Sequence, residues 1–195
     1  SQQRFVLSVP RSALKLKVNL GVGEANLDPK VYNLVADALI QRPHSLDELL
    51  EIPELKAEGG ARVLQAVTVL CASSQAYPCL TAEGLAERKA SCDRFNAAVM
   101  EGVRYRDQFP ALASPVTGSG HTMSRMELLF LRAWRQKDPD PIQSVWGFLE
   151  LMQQRLLRDG KPLQTREDNL TELRASWQKW QNEELPLLRV LGLVD

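Results

Sequence analysis

The sequence holds only two histidines, His44 and His121, and three cysteines, Cys71, Cys79 and Cys92, among 195 residues. A tetrahedral zinc site needs two close pairs of ligands. Here seven and twelve residues separate successive cysteines, so no such pairs form and no metal site is expected. An odd cysteine count with no secretory signal argues against a disulfide framework and for reduced thiols in a cytoplasm. Charge of either sign is not in excess: Lys+Arg and Asp+Glu are 24 each, for a formal net charge of 0. Such a chain has no global field to draw in a polyanion or an anionic membrane, and nucleic acid is an unlikely partner on that ground. Charges interrupt every apolar run, and none approaches the ~18 residues that a membrane-spanning helix requires. The chain opens Ser1-Gln2-Gln3-Arg4 with neither an initiator Met nor a basic-then-apolar leader, so it is expected to be a piece of a longer, soluble protein.

What is present is apolar spacing of helical period. Hydrophobic residues make up 44% of the chain, enough for one large core or two small ones. Asp28 and Pro29 suit the N-cap and first position of a helix whose face is Val31, Leu34, Val35, Ala38 and Leu39, ending before Pro43. Ser45 and Glu48 form a capping box for a short helix with Leu46, Leu49 and Leu50, ended by Pro53. After Gly59-Gly60, a third helix over 61–74 carries Val63, Leu64, Val67, Leu70 and Cys71, and Tyr77-Pro78-Cys79-Leu80 reads as extended. A strand at Leu14, Leu16 and Val18 precedes these, so residues 14–81 have the element order of a winged-helix unit. Its third helix has Arg62 as its one charged residue, which argues against reading DNA bases and for burial of that helix.

Residues 82–136 are expected to be a helical connector and a turn-helix segment, and 141–195 a C-terminal helical unit. In the first, Leu85, Cys92, Phe95, Val99 and Val103 are spaced for one or two helices, with 87–89 and 104–107 as charged, solvated faces, before Phe109-Pro110. Lys137-Asp138-Pro139-Asp140-Pro141 is the best candidate for a linker or exposed loop. Beyond it Val145, Trp146, Leu149, Met152 and Leu156 mark a helix to about residue 158, closed by Asp159-Gly160. Thr165 then caps a helix lined by Leu170, Leu173, Trp177 and Trp180. All four tryptophans, Trp134 and Trp146 included, lie in this half and are assigned to the core, each wanting a partner for its indole N–H. The fold class is thus mainly α with small β elements: a winged-helix-like N-terminal half followed by a helical C-terminal half.

One segment carries more than periodicity. Leu112-Ala113-Ser114-Pro115-Val116-Thr117-Gly118-Ser119-Gly120-His121 is an apolar run turning through two glycines. It feeds a helix capped by Ser124 and Glu127, with Met126, Leu129, Phe130 and Ala133 on its apolar stripe. Together with Leu185-Pro186-Leu187-Leu188 and Leu191-Gly192-Leu193-Val194 near the end, this resembles the C-terminal part of bacterial class I methyltransferases that carry a methyltransferase regulatory domain. That group includes rickettsial-type protein-lysine methyltransferases. The resemblance spans roughly residues 4–194 and rests on short motifs. It implies a parent enzyme dependent on S-adenosylmethionine, bound in a domain N-terminal to this chain.

The cofactor fingerprint of such enzymes is a glycine-rich turn between a strand and a helix, with an acidic residue about 20 positions on. Val18-Asn19-Leu20-Gly21-Val22-Gly23-Glu24 imitates it but lacks a third glycine and the second buried strand, so it is expected to be an ordinary glycine turn. No catalytic residue, cofactor ligand or metal ligand is assigned. Ser119 and His121 stand almost adjacent in a turn, and such residues rarely face each other as a triad demands. The expectation is therefore a non-catalytic regulatory or substrate-recognition domain of a methyltransferase. Its partners would be its own N-terminal methyltransferase domain and a protein substrate, with a homodimer left open. Pro115, Gly118, Ser119, Gly120 and His121 are the candidate interaction surface, as an exposed turn. Two other classes fit the residues: a winged-helix transcription regulator, and a dimerisation or scaffold module.

Overall fold

The computed structural model of the chain describes residues 3–19, 23–102 and 111–195. Of the segments read from sequence, Gly21-Val22, Val103, 104–107 and Phe109-Pro110 lie outside the described residues. The fold is mainly α with small antiparallel β elements. No helix among the described residues is long and apolar enough to cross a membrane.

In the N-terminal half, β1 (Arg4–Leu7) is the middle strand of a three-stranded sheet, paired antiparallel with β4 (His44–Ser45) and β5 (Ala76–Pro78). The centre of this sheet therefore lies outside the 14–81 range expected from sequence. β2 (Lys17–Asn19) and β3 (Glu24–Asn26) form a separate hairpin with Val18 opposite Ala25. α1 (Pro29–Leu39) starts as expected, with the Asp28 side chain accepting from the Lys30 amide. α2 (Leu46–Leu49) has the full Ser45/Glu48 capping box. Pro53 does more than end it, for it opens α3 (Pro53–Glu58), proline being at home in a first helical turn. Gly59, at φ +87, turns the chain directly into α4 (Gly60–Ala72). α4 buries Val63, Ala66, Val67 and Leu70 but leaves Leu64 half exposed, so the expected burial holds for one face only.

α5 (Leu85–Gly102) follows as one helix. Its buried Asn96 grips β6 (Ala111–Ala113) by two hydrogen bonds, donating to the Ala113 carbonyl (3.0 Å) and accepting from the Ala113 amide (2.7 Å). β6 pairs with β7 (Gly120–Thr122), which leads into α6 (Arg125–Arg135) through the Ser124/Glu127 capping box. Leu128 and Leu131 are buried along with Leu129, Phe130 and Ala133, whereas Met126 is only half-buried. The covered face is wider than the expected stripe because α6 meets both α7 (Pro141–Leu151) and α8 (Arg166–Val190). Residues 137–140 are an exposed corner between packed helices, with Asp140 capping α7.

α7 stops at Leu151, short of the expected end near residue 158. Gln153 takes a left-handed conformation (φ 55) and the Gln154 amide reaches back to the Leu149 carbonyl, which terminates the helix. Asp159 and Gly160, both at positive φ, instead turn a small hairpin of β8 (Leu157–Arg158) and β9 (Lys161–Pro162). α8 begins at the Thr165 cap and contains Pro186, which removes one donor from its hydrogen-bond ladder.

Apolar side chains form two clusters. One joins Leu7 to α1, α3 and α4; the other joins Val6 to α6, α7, α8 and the C-terminal residues. Phe130, Trp134, Trp177 and Trp180 pack as a group, with ring centroids 5.3 to 6.3 Å apart. The tryptophans belong to the core, as expected. Contrary to the expected pairing, the buried indole N–H groups of Trp146 and Trp180 find no hydrogen-bond partner among the described residues.

Candidate functional site

The β6–β7 hairpin presents the turn singled out in the sequence, and one buried hydroxyl organises it. Ser114 Oγ donates to the Leu191 carbonyl (2.7 Å) and accepts from the amides of Val116 (3.3 Å) and Thr117 (3.2 Å). The Gly118 amide donates to the Ser114 carbonyl and the Ser114 amide to the Ser119 carbonyl, each at 2.9 Å. Arg88 of α5 then spreads its guanidinium over three carbonyls, those of Thr81 (2.5 Å), Glu83 (2.6 Å) and Pro115 (3.2 Å). The Leu80 amide donates to the Val116 carbonyl at 2.8 Å. Pro115 and Val116 lie against Gly192, just beyond α8.

The five residues proposed as a surface therefore divide. Pro115 is buried against Gly192, while Gly118, Ser119 and Gly120 are exposed and His121 is half-buried opposite Leu112. Gly118 sits at φ +71, where glycine is favoured; Gly120 does not have a left-handed backbone. Thr117 and Ser119 share a hydroxyl hydrogen bond of 2.8 Å at the exposed tip. This geometry gives a rigid knob whose presented groups are hydroxyls and backbone, suited to contact.

Beside the hairpin is a group of titratable side chains that sequence spacing did not bring together. Burial lowers the pKa of His121 against an opposing effect of Glu127. Glu184 of α8 is pushed up to about 7, first by burial and then by the charges of Glu127 and Glu183, with Lys179 opposing. Its ordinary value is 4.5, so between about 4.5 and about 7 the folded chain holds more protons than the unfolded one. Stability contributed by this carboxyl is complete below that window and is lost as pH rises through it. Glu184→Gln should raise the melting temperature at pH 8 and change it little near pH 4.5; equal shifts at both values would refute the assignment.

A cleft of about 660 Å³ lies where β1, β4 and the segment after β5 end together. Gln3, Arg4, Glu48 and Cys79 line it. Arg4 (3.1 Å) and Arg42 (2.9 Å) converge on one Glu48 oxygen, while the Ser45 amide donates to the other (2.7 Å). These contacts, the Ser45 bond first, hold the Glu48 carboxyl down at about 2. Burial lowers His44, whose Nδ1 lies 2.8 Å from the Arg42 carbonyl. It also pushes the Cys79 thiol up to about 11, so this sulfur is protonated at neutral pH and a weak nucleophile. The three cysteines are free and half-buried, and no cluster of potential metal ligands occurs among the described residues. Arg88, Glu184 and the Arg4–Glu48–Arg42 group were not legible as site residues, because their partners are distant in sequence or are backbone carbonyls.

No family model matches the chain, and no solved structure matches it. An uncharacterized protein of Synechocystis sp., sll1526, is 33% identical over 190 residues, covering 97% of this chain and 37% of that protein. The chain is similar to one part of a longer protein. It spans little more than a third of that relative's length.

Proposed function

We propose that this chain is a non-catalytic regulatory or substrate-recognition domain of a cytoplasmic methyltransferase dependent on S-adenosylmethionine. The methyltransferase assignment comes from the resemblance of the 112–134 segment and the Leu- and Gly-rich C-terminal motifs. The observation that carries the domain reading is the relative of which this chain matches 37%. Backbone topology supports placing the cofactor elsewhere. Every strand pairing among the described residues is antiparallel, whereas the cofactor fold of these enzymes is a doubly wound parallel sheet. β2 and β3, which flank the Gly21-Val22-Gly23 sequence, pair as a hairpin, while the fingerprint turn leads from a strand into a helix.

The partners in this reading are the parent's own N-terminal methyltransferase domain and a protein substrate, with the knob of Gly118, Ser119 and Gly120 as the contact. Nucleic acid is a poor candidate, since the one cation on α4, Arg62, is already paired with Asp28 and Glu58. Isothermal calorimetry on the isolated chain should show no saturable heat with micromolar S-adenosylmethionine, while the full-length parent should bind it and transfer the methyl group. Binding by the isolated chain would overturn the separation of roles. A parent that neither binds the cofactor nor transfers methyl would overturn the methyltransferase reading itself.

A further inference from the structure

α5 is an 18-residue helix that buries only Asn96 and Met100. Helices of this length draw most of their stability from packing an apolar face, and this one leaves about half of its circumference to solvent. The exposed half has a definite composition. Ala86, Ala90, Ser91 and Ala98 are small, Phe95 is 54% exposed, and Glu87 and Arg94 lie between them. Arg94 donates only to Ser91 Oγ, at 3.3 Å, and neither Glu87 nor Arg94 has an ion-pair partner among the described residues.

At about 100° per residue, the middle of this exposed arc points along the direction midway between Ala90 and Ser91. A two-fold axis through that point sets two copies of α5 antiparallel, and in an isologous contact each pair of residues then occurs twice. Glu87 faces Arg94 of the second copy and Arg94 faces its Glu87. Phe95 lies at one edge of the arc and flanks the contact. Ala90 and Ser91 meet at the crossing, where their small side chains let the two backbones approach closely. The charges would oppose like with like if the axis passed through Arg94, since Glu87 and Glu101 would then meet. An axis midway between Ala97 and Ala98 would pair Arg94 with Glu101 instead, but it overlaps only residues 93–102 of the two helices against 85–96 here, so the longer overlap favours the Glu87–Arg94 register.

We propose that the solvent face of α5 is a self-association surface, occupied by α5 of a second copy of this chain in an antiparallel pair held by two reciprocal Glu87–Arg94 ion pairs. The contact is small, of the transient class, so a micromolar dissociation constant is expected. This reading does not depend on the methyltransferase assignment.

Sedimentation velocity on the full chain, over a series from low to high micromolar, tests it. The wild type should pass from monomer to dimer. Arg94→Glu or Glu87→Arg alone sets like charges against each other twice, and each should raise the dissociation constant tenfold or more. The double variant R94E/E87R exchanges the partners and should restore the dimer, which a merely damaged surface would not do. Because these side chains are exposed, circular dichroism should show folded protein in every variant. A wild type that stays monomeric throughout would overturn the proposal. So would a dimer indifferent to single reversal, which would use another surface, or a double variant as weak as the singles.

Discussion

Gly192→Val is expected to destabilise the chain by about 2–5 kcal/mol, the sum of backbone strain and overpacking. Gly192 has φ +71, a conformation that a β-branched residue resists. A Cβ built there would meet Pro115 Cγ at 3.0 Å and Val116 Cγ2 at 3.1 Å. Neither neighbour can give way easily, since Pro115 is a ring and Val116 is fixed by the Ser114 hydroxyl and the Leu80 amide. For a chain of this size each kcal/mol lowers the melting temperature by roughly 2–4 °C, so calorimetric scanning should record a fall of about 5–20 °C. Gly118→Val provides the contrast. It has the same φ, but its Cβ would meet the tip of Leu80, a flexible side chain that is 46% exposed. Gly118→Val should therefore cost clearly less. Equal losses at the two positions would mean that backbone strain alone matters and that the hairpin is not wedged against the end of α8.

Phe130→Ala should remove about 3–5 kcal/mol, the usual range for truncating a buried phenylalanine. Phe130 is 1% exposed and stands edge-on to Trp177, with ring centroids 5.3 Å apart and planes at 78°. Trp180 lies 6.0 Å away with its ring tilted at 57°, and such aromatic pairs add about 0.5–1.5 kcal/mol beyond area burial. These rings join α6 to α8, so the cavity falls at the contact between two helices rather than in a surface pocket. Urea denaturation followed by tryptophan fluorescence measures the loss. Phe130→Leu, which fills much of the space without the ring, should lose less than half as much. A loss below about 1.5 kcal/mol for Phe130→Ala would show that the tryptophans close over the gap, against the limited relaxation usual for such cavities.

What the sequence made legible was local chemistry. The caps at Asp28, Ser45, Ser124 and Thr165 each depend on residues within three positions, and all four form their expected hydrogen bonds. α7 ends earlier than its apolar spacing suggests because a left-handed Gln153 carries no compositional signal, while Asp159-Gly160 marks a hairpin and not a helix end. α3 carries no separate signal in the sequence, because proline ends one helix and starts the next equally well. The knob's exposed tip lies where its glycines suggested. Its anchoring by Arg88, Leu191 and Gly192 joins segments far apart in the chain, which no spacing rule connects. The raised Glu184 likewise arises from burial and from Glu127 on another helix, neither of which is visible in a neighbouring residue.

β1 alternates its side chains in the manner of any strand, and that alternation has an outcome for the molecule as a whole. Val6 enters the cluster of the C-terminal half and Leu7 the cluster of the N-terminal half, and both are fully buried. A four-residue strand thus serves as a party wall between two rooms. Cutting the chain near residue 81 would hand that wall entirely to the N-terminal fragment and leave the C-terminal one open where Val6 belongs. The two halves are consequently a poor choice for separate expression or for exchange between relatives, however modular their element order looks.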